Sequence, residues 1–426
     1  MTAREIRERL AELREAGVKL RRRPARETHA ALARVLDLWA SPDSSWRRRL
    51  EEGLPGATGF TPENVREGLA RGLGPFRGEA WLALVRAELG DPARLDAAQR
   101  SMLSGFDTTA VVLAGAIPQP SLLALLAPLA LRSPVLAKPA SRDPVTAALV
   151  AESIAEVDPE LGRCIAVARF GSSDEACLRA LLEADCVAAT GSDASIAALA
   201  ARVQPPRRLI ASGHRLSVAA LGPDALRGDA LGAAADGIAL DVALWDQQGC
   251  LSPLAVYAVG GDGEAPDRLA ESLAHALASL ARRLPRGALE PAAAAAFRQE
   301  CDGAELRATA GPGVRLLGGV TQGWAVVREV DASLRPAPLN RFVRVTSVEN
   351  PEVLGAALRP LAAHLAGVAL AGFGAAHDGV LRGLADLGAS RLCRPGELQS
   401  PPLAWHHEGR PVLLPFARFT DREIAV

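Results

Sequence analysis

The 426 residues carry 49% hydrophobic and 23% charged side chains, which excludes a disordered or fibrous chain and exceeds what one ordinary core needs, so two folded domains are expected. Lys and Arg number 48 against 49 Asp and Glu, a balance that gives no electrostatic reason for a nucleic acid or an anionic membrane to be the main partner. The six cysteines, Cys164, Cys177, Cys186, Cys250, Cys301 and Cys393, form no C-x-x-C pair, which points to reduced thiols and a cytoplasmic setting rather than a disulfide framework.

In chain order, residues 1–23 are charged throughout and lack the apolar stretch of a signal peptide. Ile6, Leu10 and Leu13, then Leu32, Val35, Leu36 and Trp39, recur at helical spacing. Thr61-Pro62-Glu63 reads as an N-cap followed by proline at the first helical position, predicting a helix through Leu73. Residues 1–100 are therefore expected to be helical, a packing or oligomerisation arm that packs on the cofactor-binding domain following it. From Thr109 the texture changes: apolar, β-rich runs at 109–116, 133–138, 164–170, 186–190 and 207–211 alternate with helical runs near 121–131, 144–156, 174–183 and 193–203. The segment 120–131 is too short to span a membrane, which takes roughly 20 apolar residues. Such alternation indicates βαβ units and a parallel sheet covered on both faces. Such sheets bind ligands at the carboxyl ends of their strands, and residues 101–216 read as a nucleotide-binding domain. A second α/β set fills 217–395, with strands at 217–221, 253–260, 324–330, 342–348 and 367–373 and a helix predicted over 351–366 among others. Residues 396–426 are expected to return to the first domain or to an oligomer interface.

Four segments at strand ends or strand-to-helix turns can carry chemistry. In Asp246-Gln247-Gln248-Gly249-Cys250-Leu251-Ser252-Pro253, a cysteine after Gly249 can sit on a tight turn with its sulfur exposed and backbone N–H groups near a reacting carbonyl. A small buried hydrophobe is the other reading of Cys250. Lys138 ends an apolar strand, where a phosphate or ribose hydroxyl can meet it, or where it simply snorkels to water. Thr190-Gly191-Ser192-Asp193 is a glycine turn into a helix, whose N–H groups favour a pyrophosphate. The fourth, Ser212-Gly213-His214-Arg215-Leu216-Ser217, lies between the two strand sets; His214 is either structural or catalytic.

The order and spacing of these segments resemble the aldehyde dehydrogenase superfamily. More narrowly, residues 246–253, 213–217 and the run Pro401-Pro402-Leu403-Ala404-Trp405-His406-His407-Glu408-Gly409-Arg410-Pro411 are similar to the LuxC family of fatty acyl-CoA reductases. The resemblance implies an α/β, aldehyde dehydrogenase-like fold: a Rossmann-type cofactor domain, a second α/β domain carrying Cys250, and a helical N-terminal region. It implies Cys250 as the acyl-accepting nucleophile, Lys138 at the adenosine ribose or 2′-phosphate, and Gly191 with Ser192 at the pyrophosphate. The superfamily's ribose-binding glutamate is replaced by Ser141, followed by Arg142, which favours NADPH over NADH because a carboxylate is gone and a guanidinium is near. A dimer or larger homo-oligomer is implied as well.

Two departures from the superfamily pattern matter. Oxidising members carry a water-activating glutamate where this chain has Ala211, with no carboxylate between Arg207 and Pro223, as suits an enzyme that must not hydrolyse its acyl-enzyme. The oxyanion-stabilising asparagine falls at Ala116, so backbone N–H groups would have to serve. The expected reaction is NAD(P)H-dependent reduction of a long-chain acyl thioester to the aldehyde. The acyl group comes from fatty acyl-CoA, with coenzyme A leaving, or from an acyl-carrier protein. A thiol pKa lowered by a helix N-terminus would assist, with His214 or Arg215 adding positive field. No metal is expected, since His406 and His407 belong to no recognisable ligand set. Reduction of short or protein-bound acyl groups, or an inactive binding subunit of the same fold, are the alternatives.

Overall fold

A computed structural model describes residues 1–311 and 313–424. The chain opens with helices α1 (Ala3–Leu20), α2 (Ala25–Ala40), α3 (Ser45–Thr58), α4 (Pro62–Leu73) and α5 (Gly78–Leu89), followed by strand β1 (Ser101–Ser104). Their starts obey local chemistry. Thr2 and Glu5 form a reciprocal capping box on α1, and the Thr61 hydroxyl accepts from Asn64 N ahead of Pro62 in α4. Leu32, Val35, Trp39 and Trp81 are buried in the same core as Leu122, Val135 and Val150, so the N-terminal region completes the interior beside the first sheet.

That sheet has five parallel strands in the order β4-β3-β2-β5-β6. Its elements in chain order are β2 (Thr109–Val112), α6 (Pro118–Ala130), β3 (Val135–Lys138), α7 (Thr146–Val157), α8 (Pro159–Gly162), β4 (Ile165–Val167), α9 (Glu175–Leu181), β5 (Cys186–Thr190), α10 (Asp193–Ala200) and β6 (Arg208–Ser212). β3 is buried at all four positions, the mark of a strand covered on both faces.

The second sheet contains β7 (Leu216–Leu221), β8 (Pro253–Val259), β9 (Arg315–Gly319), β10 (Trp324–Arg328), β11 (Phe342–Val348), β12 (Leu365–Ala371) and β13 (Arg391–Cys393). Its order is β13-β12-β7-β8-β11-β10-β9, parallel except for the antiparallel edge strand β9. Helices α11 (Gly228–Ala243), α12 (Ala265–Arg283), α13 (Pro291–Ala310), α14 (Pro351–Leu358) and α15 (His377–Asp386) accompany it. The helix predicted over 351–366 stops at Leu358, continues as a 3-10 turn from Arg359 to His364, and gives way to β12. Pro360 has no N–H for an α-helical bond and its ring clashes with the preceding turn. Near the end of the chain β14 (Arg418–Asp421) pairs antiparallel with β1, Ser101 opposite Asp421. Among the described residues no helix is long and apolar enough to cross a membrane.

Only Gly213, His214 and Arg215 separate the last strand of the first sheet from the first strand of the second.

Candidate active site

The turn between α11 and β8 is held in an uncommon backbone. Trp245, Asp246 and Gln247 have φ of 54°, 48° and 62°, three consecutive non-glycine residues in the left-handed region, each at a cost that the surroundings must offset. The surroundings are specific. Asn64, from α4, accepts from Trp245 N at 2.8 Å and donates to Ala243 O at 2.9 Å and to Asp246 Oδ1 at 3.2 Å. Arg341 meets Asp246 Oδ1 through Nη2 at 2.6 Å and Nε at 2.8 Å, and donates to Leu284 O at 2.6 Å. Gly287 N donates to Asp246 Oδ2 at 3.0 Å. Gln247 ties the turn to the neighbouring strands, donating to Pro253 O and Phe342 O and accepting from Phe342 N. Arg341 itself belongs to a second left-handed run, Leu339-Asn340-Arg341, at φ of 60°, 59° and 72°. The two runs brace each other across a buried ion pair, so Asp246 and Gln247 are structural clamps for the adjoining Gly249-Cys250.

A Cβ at Gly249 would lie 3.0 Å from Ile117 Cδ1 and 3.1 Å from Gln399 Oε1, tight enough that those neighbours would have to move. This is where the β2–α6 loop, which includes buried Ala116, touches the Gly249-Cys250 turn. The turn is fixed on its other side by Ser217, whose hydroxyl donates to Cys250 O at 2.8 Å and accepts from Gly367 N at 3.0 Å. Gln399 Nε2 donates to Ser252 Oγ at 2.9 Å.

Cys250 is partly exposed, unlike the buried Cys164, Cys177, Cys186 and Cys301. Burial pushes its thiol up to about 11; the backbone N–H groups of Cys250 and Leu251 and the Arg215 guanidinium pull it down, while Glu408 pushes it further up. The expectation of a thiol lowered by a helix N-terminus is corrected here, because Cys250 is followed by strand β8 and no helix starts at the turn. At a pKa of about 11 the thiolate fraction at neutral pH is on the order of 10⁻⁴. Alkylation of Cys250 by iodoacetamide is therefore expected to accelerate about tenfold per pH unit between about pH 7 and 10. Peptide mass spectrometry on the unliganded protein reads this, and a plateau already reached at neutral pH would contradict it.

The other residues singled out in the sequence lie around this turn at different depths. His214 is exposed; its backbone N donates to Asp193 Oδ1 at 2.8 Å and its ring stands 6.0 Å from that of His364. Of the pair His214 and Arg215, it is Arg215 whose charge reaches the thiol. Lys138 closes β3, and its carbonyl accepts from Leu113 N at 3.0 Å, which ties this strand end to the loop that touches Gly249. The lysine is only 7% exposed, with Ser172 Oγ at 3.3 Å from its ammonium and the Phe170 ring 5.3 Å away. Burial pulls it below the usual lysine value, and no carboxylate offsets this. A desolvated cation without an anionic partner, beside the exposed Ser141 and Arg142, fits a phosphate or ribose group. Ser192 is the N-cap of α10, accepting from Ser195 N at 3.2 Å. Gly191 N already donates to Ser212 O at 3.0 Å, so any N–H offered to a pyrophosphate there comes from the residues after Ser192 rather than from Gly191 itself. Among the described residues no group of three or more His, Cys, Asp or Glu side chains is arranged to hold a metal ion.

Sequence reasoning missed three participants. Asn64 and Arg341 lie 182 and 95 positions from Asp246, and nothing local marks them. The third is Glu408. Along the chain no carboxylate stands between Arg207 and Pro223, but in space the C-terminal segment supplies one. Glu408 pairs with Arg215 Nε at 3.2 Å and with Arg410, which in turn donates to Ala211 O at 2.8 Å and Ser212 Oγ at 3.3 Å. The absence of a carboxylate near Ala211 is thus a property of the local sequence only.

A family model described as Acyl-CoA reductase (LuxC) matches residues 22–419. The long-chain acyl-protein thioester reductase 2 of Photobacterium leiognathi is 26% identical over 247 residues, 56% of this chain and 48% of that protein, so the match spans about half the relative's length. Among solved structures, an oxidoreductase from Marinobacter aquaeolei is similar with a TM-score of 0.76 at 16% identity, covering 99% of this chain and 91% of that one. A NAD-dependent benzaldehyde dehydrogenase from Corynebacterium glutamicum gives 0.74 at 15%, covering 99% and 90%. An aldehyde dehydrogenase from Pseudomonas syringae, solved with NAD+ and octanal, gives 0.73 at 14%, covering 98% and 88%. At these identities the structural likeness establishes an aldehyde dehydrogenase-like fold.

Proposed function

Because the chain belongs to the LuxC family of acyl-CoA reductases, we propose that it reduces a long-chain acyl thioester to the aldehyde through an acyl group carried on Cys250. The observation that carries this reading is the placement of Cys250: a partly exposed thiol after a glycine, on a turn locked by the Asp246–Arg341 pair, with the backbone N–H groups of Cys250 and Leu251 beside the sulfur. A thiol so held attacks an acyl carbonyl, and those N–H groups are the donors closest to the developing oxyanion in a chain that has Ala116 where an asparagine would stand. The thiol of coenzyme A, or of a carrier protein, leaves.

The second half needs a hydride, which a bound nicotinamide dinucleotide supplies. Lys138, Ser141 and Arg142 bind its adenosine end, Lys138 through its unneutralised ammonium, and the N-terminal turn of α10 at Ser192 lies along the pyrophosphate. The cationic character of this pocket favours NADPH. Lys138→Met is expected to raise the KM for NADPH about 10–100-fold, the loss of one hydrogen bond to a charged group, and to affect NADH less. Steady-state kinetics with both cofactors check this; equal effects on the two would place Lys138 away from the 2′-phosphate.

The acyl donor is long-chain acyl-CoA in this reading. The name of the Photobacterium relative, an acyl-protein thioester reductase, makes a protein-bound acyl group the second candidate. Both are tested by incubating the protein with palmitoyl-CoA and, separately, with an acylated carrier protein, without reductant, and locating the adduct by peptide mass spectrometry. A palmitoyl mass on the Cys250 peptide supports the reading. Adducts confined to other cysteines, or none from either donor, would end it.

A further inference from the structure

Two loops of the first domain meet beyond the end of β3. One, residues 139–145, follows β3 and carries Ser141 and Arg142; the other, residues 168–174, follows β4 and leads into α9. Their side chains touch at Ser172, whose Oγ lies 3.3 Å from the Lys138 ammonium and 3.5 Å from Ser141 Oγ. The loops are tied a second time where Arg169 Nη2 donates to Pro144 O at 3.0 Å. Phe170, two residues before Ser172, sets its ring 5.3 Å from the same ammonium.

The charges of this corner are lopsided. The carboxylates of both loops serve the helices they precede. Asp143 accepts from Val145 N at 3.1 Å and Thr146 N at 2.9 Å at the start of α7, and Asp174 accepts from Cys177 N at 2.9 Å at the start of α9. Arg142 and Arg169 stay exposed. Lys138 is only 7% exposed, yet among the described residues its ammonium donates to one neutral hydroxyl, that of Ser172, and no carboxylate offsets its burial. An ammonium has three N–H donors, and a hydroxyl that accepts from it keeps its own proton to donate. Lys138, Ser141 and Ser172 therefore turn three groups able to donate toward one spot, where a small anion would satisfy all of them.

We propose that Ser172 selects the cofactor: its hydroxyl completes, with Lys138 and Ser141, the cradle that binds the 2′-phosphate of NADPH. The inference rests on the NADPH reading and brings to it a residue from the second loop. A phosphomonoester carries about −1.5 to −2 charges at pH 7, whereas the 2′-hydroxyl of NADH carries none. Donors and a cation at this spot favour the first, and a carboxylate there would repel it. The rival role is structural, with Ser172 only holding the Lys138 ammonium in place. Aspartate separates the two, because Ser172→Asp gives the ammonium a stronger partner and sets a negative charge where the phosphate belongs.

Equilibrium binding to the full chain, followed by calorimetry, tests this without turnover, using NADPH, NADH, adenosine 2′,5′-bisphosphate and adenosine 5′-monophosphate. Wild type should bind each 2′-phosphorylated ligand more tightly than its counterpart. Ser172→Ala should weaken both phosphorylated ligands about tenfold, the loss of one hydrogen bond to a charged group, and leave the other two within about threefold. Ser172→Asp should weaken the phosphorylated pair about 10²-fold or more, with NADH affinity and the thermal midpoint kept. Ser172→Thr, which retains the hydroxyl, should retain most of the preference, and the neighbouring Ser173→Ala should change nothing. Losses equal for ligands with and without the phosphate would overturn the proposal. Wild type that favours NADPH, with a ratio that neither Ser172→Ala nor Ser172→Asp alters, would leave the cofactor reading standing and exclude Ser172 from it. Equal affinity of wild type for both dinucleotides would end the NADPH preference and the proposal together. Wild type that binds neither would end the nicotinamide reading itself.

Discussion

Replacing Cys250 with alanine is expected to abolish the acyl adduct and to reduce thioester-dependent NADPH oxidation by at least about 10⁴-fold, as removal of a covalent nucleophile does elsewhere. The fold should be untouched: the side chain is small and partly exposed, and the backbone of the turn is held by Ser217, Asn64 and Arg341 rather than by the thiol. NADPH binding, followed by fluorescence or calorimetry, should therefore persist in Cys250→Ala. Activity retained in that variant would exclude the covalent route through Cys250. Cys164 and Cys186 are buried and pushed up to about 12, so neither offers a ready substitute.

Asp246→Ala should be the most damaging change to stability at the site, at about 3–5 kcal/mol, measured as a fall in the denaturant midpoint. The expectation comes from the charge left behind rather than from the strength of the pair. The Arg341 and Asp246 side chains are 2% and 3% exposed, so alanine would strand a buried guanidinium, and unpaired buried charges are costly. Burial already pulls Arg341 below its usual value and the neighbouring carboxylate opposes this. Asn64 Nδ2 and Gly287 N would lose an acceptor at the same time. Without these bonds the left-handed conformation of Trp245 to Gln247 loses its support, and Cys250, a few residues further along the turn, loses its aim. Asp246→Asn keeps an acceptor of the same shape and should fall between the two. If Asp246→Ala unfolded at the wild-type midpoint, the Asp246–Arg341 clamp would be irrelevant to the fold.

The distance between motif and mechanism is clear at this turn. Asp246-Gln247-Gln248-Gly249-Cys250 can be picked out of the chain as a unit, and the residue resemblance to a reductase family rests largely on it. Its internal division of labour cannot. Asp246 and Gln247 hold the turn through partners from α4 and from the run ahead of β11, and those partners are specified by packing. The N-terminal helices illustrate the same point. Their apolar spacing announces amphipathic helices that pack on the following domain but does not say which residues cover the apolar face. The structure sets that face into the core beside the first sheet and sends Asn64 to the turn ahead of Cys250. The short strands β9, β13 and β14 are invisible in the sequence for a different reason: each is three to five residues long, lies at an edge and lacks a run of apolar residues, so pairing rather than propensity makes it a strand.

Local sequence determined the alternation of strands and helices, because burial on both faces of a parallel sheet forces unbroken apolar runs separated by helical periods. It also marked the glycine-cysteine turn, because a backbone that must bring a sulfur close to neighbouring chain leaves little choice of residue. Tertiary structure alone decided the ionisation of that sulfur and the charges around it. Arg215 is far along the chain from Glu408 and Arg410 yet adjacent to them in space. Desolvation and Coulomb interaction depend on distance through the folded molecule, a quantity that no spacing along the chain encodes.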